Sequence, residues 1–292
     1  MKNYREKARE LIKGAVDIHI HTAPDIFPRK INDIEAAEQA KKAGMKAIVI
    51  KSHVTETASR ASIASEITGF PVYGGVSLNY ALGGLNDHAV EVAAKLGAKF
   101  VWMPTLDAAW YLQHSEHVSA LAGSLSREVE ELSLLDPNND LNPAIFPILE
   151  AIARWNLILS TGHISKTEAE LLVGRAKDAG VERIVLTHAT ADFLDYRVED
   201  LQRLSTLGVW VELDWFFATR LAKNPCSPGA FAGVIRAVGA DKVILGTDGG
   251  QFGNPPPVEM LVEFITNLLG LGITEEEIRM MTSVNPSKLM KI

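Results

Sequence analysis

Residues 17–21 read Asp17-Ile18-His19-Ile20-His21, and this alternation of polar and apolar side chains is typical of a β-strand. Because side chains on a strand alternate between its two faces, we expect Asp17, His19 and His21 to project to the same side. Two imidazoles side by side on one strand face are suited to holding a divalent metal ion. Taken alone, the pair is equally compatible with two solvent-exposed histidines on an edge strand, so the rest of the chain decides between these interpretations.

Seven further short apolar runs follow this strand, and segments with helical periodicity separate them. The eight predicted strands span residues 15–20, 46–51, 71–78, 99–104, 157–161, 183–187, 209–214 and 242–247. Several helical segments end in a glycine just before the next strand, the usual position of a helix C-cap, at Gly44, Gly97, Gly180 and Gly208. Eight strand–helix units in a chain of 292 residues predict an α/β fold of the (β/α)₈ TIM-barrel type.

The segment 106–142 breaks this rhythm after the fourth strand. A connection of this length in a compact domain is usually functional or mobile, so we interpret it as an inserted lid-like segment over the mouth of the barrel. His114 and His117 lie within it as an H-x-x-H pair, which we expect to be solvated rather than to bind metal. The charged segment 2–13 is predicted to form a helix that packs outside the barrel.

The composition is that of an ordinary globular protein, with 47% hydrophobic and 22% charged residues. A net charge of −7 argues against a nucleic-acid partner, which would require clustered lysine and arginine. The single cysteine, Cys226, excludes an internal disulfide bond and a cysteine-based zinc cluster. Residues 1–13 lack the apolar core of a signal peptide, and no apolar run approaches the roughly 18 residues of a membrane span. We therefore expect a cytoplasmic protein without a membrane partner, and whether it forms a homo-oligomer is left open.

Five of the eight histidines fall at predicted carboxyl ends of strands, where random placement would put about half a histidine. They are His19, His21, His53, His163 and His188. Asp248 ends the eighth strand, next to the first strand once the barrel closes. These strand ends all meet on the face where barrel enzymes build their active sites, so we expect one cluster. Glu212 and Asp214 share a face of the seventh strand, where one of them either enters this cluster or forms a structural salt bridge.

This pattern resembles the metal-site pattern of the amidohydrolase superfamily, which has His-x-His on strand 1, histidines on strands 5 and 6, and an aspartate on strand 8. The ending Val284-Asn285-Pro286-Ser287-Lys288-Leu289-Met290 also resembles the Asn-Pro-x-x-Leu tail common in that superfamily. The resemblance spans almost the whole chain and implies that residues 1–292 form a single metal-dependent hydrolase barrel domain. It does not identify a substrate, because members include hydrolases, deaminases, lactonases and some decarboxylases.

The resemblance implies a metal site formed by His19, His21, His163, His188 and Asp248. We expect one divalent metal ion per chain, held by His19, His21 and His163, with zinc as the first candidate because it suits imidazole and carboxylate ligands. Such an ion lowers the pKa of a bound water to about 7. Asp248 is expected to accept the water proton and pass it to the leaving group. His188 either ligates the metal or steadies the developing oxyanion.

Binuclear members of the superfamily usually carry a lysine or glutamate on strand 4 that bridges two metal ions. Here the fourth strand ends Val101-Trp102-Met103-Pro104-Thr105, with neither residue, and this departure argues for one metal rather than two. Lys51, on the same strand face as His53, offers a displaced bridge, although a substrate-binding or structural lysine is the preferred interpretation.

Lys51, His53 and Arg60 lie at or just beyond the mouth of the second strand and are our candidate substrate-binding residues. A lysine at the end of a buried strand is costly to desolvate unless an anion meets it. That anion is either Asp25, as a structural partner, or a carboxylate or phosphate of the substrate. His53 is alternatively a capping residue of the helix predicted to begin at Glu56.

These observations favour a metal-dependent hydrolase that uses a metal-activated water to attack a C–N or C–O bond of an amide, lactone or imine. The expected partner is a small-molecule substrate, and the lysine hypothesis makes that substrate anionic. A metal-dependent decarboxylase of a small carboxylated substrate is the alternative, and a non-catalytic metal-binding barrel is the second alternative.

Overall fold

The computed structural model describes residues 2–114 and 131–292. Its strands are β1 (Val16–His21), β2 (Ala47–Lys51), β3 (Val72–Tyr73), β4 (Gly75–Ser77), β5 (Phe100–Trp102), β6 (Ile158–Ser160), β7 (Ile184–Leu186), β8 (Val209–Asp214) and β9 (Val243–Gly246). Each strand pairs in parallel with the next one along the chain, from β1 to β3 and from β4 to β9. Every predicted strand therefore has a counterpart in the structure.

Two features turn these strands into a ring. Only Gly74 separates β3 from β4, so the two form one interrupted barrel strand. A side chain at Gly74 is excluded because its Cβ would lie 2.4 Å from the backbone of Thr57. Closure occurs just beyond β9, where Ile20 pairs in parallel with Gly249 and the His21 amide donates to the Gly249 carbonyl at 2.7 Å. The predicted (β/α)₈ fold class is confirmed.

Helices follow the strands around the ring. They are α1 (Lys2–Leu11), α2 (Asp33–Lys42), α3 (Ala58–Thr68), α4 (Asp87–Lys95), α5 (Ala109–His114), α6 (Ile145–Arg154), α7 (Lys166–Asp178), α8 (Val198–Thr206), α9 (Pro228–Val238), α10 (Pro257–Gly270), α11 (Glu275–Arg279) and α12 (Asn285–Met290). Short 3₁₀ turns occupy Tyr80–Leu82, Asp192–Leu194, Trp215–Ala218 and Ala240–Lys242, and Met280–Val284 forms a π-helical turn. Glycines with φ from +74° to +91° follow four of these helices, as predicted, at Gly44, Gly97, Gly180 and Gly208. Among the described residues, no helix has the length and apolar character that crossing a bilayer demands.

The apolar core has two parts, one inside the ring of strands and one between strands and helices. Inside, Val16 and Ile18 of β1 pack with Val49, Phe100 and Trp102. Outside, Ile20 and residues of the neighbouring strands pack against the helices. Burying a large apolar side chain contributes about 1.5–3 kcal/mol, so these layers hold the strand ends in fixed positions.

The C-terminal tail is tied to the base of the barrel. Asn285 donates from Nδ2 to the carbonyls of Ala240 and Val243, at 2.8 and 2.7 Å, at the start of β9. The predicted N-terminal helix is present as α1, which packs on α10, where Arg5 and Arg9 both pair with Glu259 at 2.7 and 2.9 Å. The Asn-Pro tail thus anchors the chain end, which is a structural role.

The predicted lid-like segment lies partly outside the described residues. Its ends are joined, because Leu132 donates to the carbonyl of Asp107 at 2.7 Å and accepts from the Ala109 amide at 2.9 Å. His114 ends α5, is exposed and stacks on Trp110 at 3.5 Å. His117 and the rest of residues 115–130 lie outside the described part of the chain.

Candidate metal centre

The residues expected to converge at the carboxyl ends of the strands do so. His19 and His21 end β1, and the others follow their strands directly, as His53, His163, His188 and Asp248. All six are buried, with at most 9% of their surface exposed. Ring centroids lie 4.8 Å apart for His19 and His188, 4.8 Å for His21 and His53, and 5.2 Å for His163 and His188. The predicted cluster is therefore one continuous array of imidazoles on one face of the barrel.

Among the described residues, two groups of donor atoms lie close enough together to share an ion, and within each group the ligand atoms are within 4.8 Å of one another. One group is His19, His21 and Asp248, and the other is His19, His188, Glu212 and Asp214. Oδ1 of Asp248 is 3.1 Å from Nε2 of His21 and 3.6 Å from Nε2 of His19. Asp248 and His188 both adopt positive φ angles, +43° and +56°. A residue with a side chain rarely adopts such angles, and this backbone strain is common at functional sites.

Asp17 does not join this set, so the prediction that it shares a face with the histidines is wrong. The pairing register of β1 with β2 shifts between Asp17 and Ile20, which is a β-bulge. One extra residue reverses the alternation, and Asp17 lies with Ile20 beside α2. Its carboxylate accepts from Thr247 Oγ1 at 2.6 Å and thereby braces β1 against the end of β9.

Two carboxylates of β8 orient two of the imidazoles. Oε1 of Glu212 lies 3.1 Å from Nδ1 of His19, and Oδ2 of Asp214 lies 2.7 Å from Nδ1 of His188. A carboxylate at Nδ1 holds the proton there and leaves Nε2 with its lone pair, which is the tautomer that binds metal. Of the two roles considered for these residues, contact with the histidine cluster is the one the structure shows.

His163 is buried, and neither of its ring nitrogens has a hydrogen-bond partner among the described residues. An unsatisfied buried polar atom costs about 1–3 kcal/mol, so such a ring calls for a ligand. The donors of His19, His21 and Asp248, together with this unpartnered imidazole, fit a divalent metal ion. His163 belongs to neither of the two donor groups, however, and its ring lies next to that of His188.

Lys51 is fully buried, and its Nζ lies 3.0 Å from Nε2 of His19 and 5.4 Å from the ring of Trp102. Burial lowers the pKa of Lys51 to about 8, although the charge of Asp248 acts in the opposite direction. Asp25, one of the two partners considered for this lysine, instead pairs with Arg29 at 2.9 Å. The carboxylates that act on the charge of Lys51 are those of Asp248, Glu212 and Asp214.

Arg60 and His53 occupy different settings. Arg60 is bound by Asp33 at 2.7 Å and donates to the carbonyls of Pro24 and Thr22, so it fastens the loop after β1 and does not line the cavity. The structure therefore gives no support to the prediction that Arg60 binds substrate. His53 lines the cavity, and its Nδ1 lies 2.8 Å from Oγ1 of Thr105. It does not cap the next helix.

Burial sets the charge of the cluster in the absence of metal. Desolvation lowers the pKa of the five clustered imidazoles, in the case of His188 to about 3, so they are neutral at pH 7. Burial also favours the neutral form of Asp248, because it raises the pKa of that carboxyl group, whereas nearby His188 and Lys51 lower it. A neutral imidazole is the form that ligates a metal.

A cavity of about 320 Å³ opens onto the cluster. Its lining includes the clustered residues His21, His53, His163, His188 and Asp248. The rest of the lining, the upper wall, contains five aromatic residues, Phe27, Tyr111, Phe193, Phe216 and Phe217, together with aliphatic residues such as Leu106, Leu221 and Ala222. Lys51 does not line it. The aromatic wall was not predicted from the sequence. The available signal was that each ring lies in the segment that follows a strand, on the face of the barrel that carries the cluster.

A family model matches residues 14–212, more than half of the chain, and it describes a family of unknown function, DUF6282. The chain belongs to this family. No curated protein sequence matches it. The DUF6282 match contains all five clustered imidazoles, whereas Asp248 lies beyond its end.

Solved structures similar to this DUF6282 chain share its fold at low sequence identity. An amidohydrolase from Pseudomonas aeruginosa is 15% identical, with a TM-score of 0.63, covering 97% of this chain and 98% of that one. An organophosphorus hydrolase from Deinococcus radiodurans is 16% identical, with a TM-score of 0.55 and coverages of 97% and 93%. The TatD homolog YJJV from Escherichia coli K12 is 17% identical, with a TM-score of 0.57 and coverages of 96% and 99%. At these identities the likeness shows the fold, which is the barrel that the sequence pattern predicts.

Proposed function

We propose that this protein is a metal-dependent hydrolase acting on a C–N or C–O bond of a small molecule. The observation that carries the proposal is the donor set of His19, His21 and Asp248, of which His21 and Asp248 line the cavity, with the Glu212 carboxylate of β8 at Nδ1 of His19. A buried set of neutral imidazoles and one carboxylate, open to a cavity on one side, is the arrangement of a catalytic rather than a structural metal site.

His19, His21 and Asp248 would hold one divalent ion, with zinc as the first candidate. When bound, the ion lowers the pKa of a water molecule to about 7, so that a nucleophile exists at neutral pH. His163 and His188 face the same cavity and complete the surroundings of the ion. We assign one ion because β5 ends without a bridging lysine or glutamate.

Asp248 would accept the proton of the attacking water and return it to the leaving group. Burial raises the pKa of this carboxyl group and brings it closer to neutrality, which suits a group that both takes and gives a proton. His188 suits ligation better than oxyanion stabilisation. With its Nδ1 proton directed at Asp214, the neutral ring has no second proton to donate from Nε2.

The test is reconstitution of metal-free protein with zinc, manganese, nickel or iron, followed by a panel of amides, lactones and carboxylated aromatic compounds. Hydrolysis that requires one equivalent of metal and is lost in His21→Asn supports the proposal. Release of CO₂ without hydrolysis would identify the decarboxylase alternative instead. Metal binding without turnover of any compound would favour the non-catalytic alternative.

A further inference from the structure

Aromatic rings surround His163 and His188, two of the histidines that line the cavity. The ring of His163 lies 4.8 Å from Tyr111 and 5.4 Å from Phe193, and the ring of His188 lies 5.0 Å from Phe217. Tyr111 and Phe193 meet edge to face at 5.1 Å. The wall above the candidate metal centre is therefore a connected set of rings held at fixed angles.

These rings come from separate segments of the chain, and a hydrogen bond joins two of those segments. Phe27 follows β1, Tyr111 lies in α5, Phe193 follows β7, and Phe216 and Phe217 follow β8. Trp110 donates from Nε1 to the carbonyl of Phe193 at 2.6 Å, which joins α5 to the loop after β7. Four separate segments thus contribute rings to one wall at the mouth of the barrel. Exposing these apolar rings to water costs free energy, and a ligand that covers them removes that cost.

The charged groups around this wall already have partners. Arg29 pairs with Asp25, Asp192 accepts from Asn224, and Lys223, which also lines the cavity, is likewise not free. The buried cation Lys51 lies beneath His19, away from the cavity. What the cavity offers a substrate is thus polar groups on its floor and apolar rings above them.

We propose that the cavity binds an aromatic ring of the substrate, so that the molecule hydrolysed is an aryl or arylalkyl amide, ester or lactone. This inference rests on the proposed function and names its substrate class. Aromatic rings attract one another in edge-to-face and offset-stacked arrangements at centroid distances of about 4.5–7 Å. A cavity of about 320 Å³ is at the small end for a ligand site and suits one ring with its attached carbonyl group.

Binding of uncharged probes tests the ring preference without turnover. Benzamide, cyclohexanecarboxamide and butyramide are titrated into metal-free and zinc-loaded protein, and dissociation constants are measured by ligand-observed NMR. Because the walls are aromatic, benzamide should bind about threefold to tenfold more tightly than cyclohexanecarboxamide, and butyramide should bind most weakly. Phe193→Leu should remove most of the preference for benzamide, and Phe27→Leu provides a second variant if the first fails to fold.

Phe146→Leu is the matched control, since Phe146 is 42% exposed on α6 and does not line the cavity. Equal affinities for the two ring compounds, no measurable binding of either, or the same loss in Phe146→Leu would overturn the inference. Hydrolysis separates this result from the proposed function. Methyl phenylacetate and methyl cyclohexylacetate share methanol as the leaving group and differ only in the ring. Zinc-dependent hydrolysis of both at equal kcat/KM would overturn the aromatic preference while upholding the hydrolase. Ring-selective binding without any hydrolysis would uphold the aromatic preference and overturn the hydrolase.

Discussion

Nδ1 of His188 lies 2.7 Å from Oδ2 of Asp214, and both residues are fully buried where β7 and β8 end. The second oxygen of Asp214, Oδ1, has no hydrogen-bond partner among the described residues, so the contact with His188 is the main constraint on this carboxylate. A buried carboxylate that serves one imidazole fixes both the rotation of the ring and the nitrogen that carries the proton. Replacing it should therefore change the metal centre without removing a metal ligand.

We expect Asp214→Asn to weaken zinc binding by about 10-fold to 100-fold. The asparagine amide can donate to Nδ1, which favours the proton on Nε2 and removes the lone pair that faces the centre. The measurement is a zinc titration against a competing chelator, with Asp178→Asn on the exposed face of α7 as the control. Unchanged zinc affinity in Asp214→Asn would show that the carboxylate does not set the tautomer.

Asp248→Asn tests the proton transfer. Asparagine tolerates the positive φ of +43° at this position, and its amide oxygen can still ligate a metal ion, so the fold and most of the metal binding should survive. Without a group that accepts the water proton, kcat should fall by about 10²-fold to 10⁴-fold. Asp192→Asn, a carboxylate at the same cavity, is the control and should retain turnover. Loss of the metal from Asp248→Asn would identify Asp248 chiefly as a ligand.

The part of the site that the sequence predicted follows from chain topology. His19, His163 and Asp248 are far apart in sequence, yet each follows a parallel strand, and a barrel brings all such positions to one face. Identifying the strands was therefore enough to predict the cluster. The alternation of short apolar runs with helical segments carried that information, and it needed no knowledge of side-chain packing.

The features that were missed depend on local geometry. The β-bulge after Asp17 leaves no mark in a pattern of alternating polar and apolar residues, so the face of Asp17 was assigned wrongly. Arg60 has the sequence context of an anion-binding residue, but Asp33 and two carbonyl groups bind it. Partner choice among charged groups is decided by distances of a few ångströms, which residue spacing does not provide.

Metal content is the third prediction. Protein purified without chelator should contain close to one divalent ion per chain, because β5 supplies no bridging residue and the two groups of candidate donors share His19. Elemental analysis of the purified protein measures this ratio. A ratio near two, accompanied by the mass increase of a carboxylated Lys51, would contradict it and would make that lysine the displaced bridge.

Lys51→Met separates a structural lysine from a substrate-binding one. Removing a fully buried charge leaves the carboxylates of Asp248, Glu212 and Asp214 without their cation, which should cost the metal-free protein about 3–5 kcal/mol of stability. A bound metal ion supplies positive charge at the same place, so zinc should restore part of the loss. Urea unfolding with chelator and with zinc measures both effects.

Lys46→Met is the control for that experiment, since the Lys46 side chain is exposed and reaches Ser287 and the carbonyl of Ile292. It should cost less than about 1 kcal/mol in both conditions. If Lys51→Met instead left stability unchanged and raised KM for anionic substrates alone, the original interpretation of Lys51 as an anion-binding residue would be restored.

The last prediction concerns pH and His163. Burial lowers the pKa of His163 well below 6.5, whereas the unfolded chain binds a proton there near pH 6.5. The unfolded state therefore holds more protons below that pH, and the stability that the neutral ring contributes is lost as the pH falls, by about 1.4 kcal/mol per pH unit. Buried carboxyl groups have the opposite effect on stability, as at Asp17, where burial raises the pKa to about 7. The pH dependence of the stability of the whole protein is therefore the sum of both kinds of contribution. His163→Phe isolates one contribution: measured by urea unfolding with chelator, the stability of wild type relative to this variant should fall steadily from pH 6.5 to pH 5. A difference that stays constant over this range would show that the ring is protonated equally in both states.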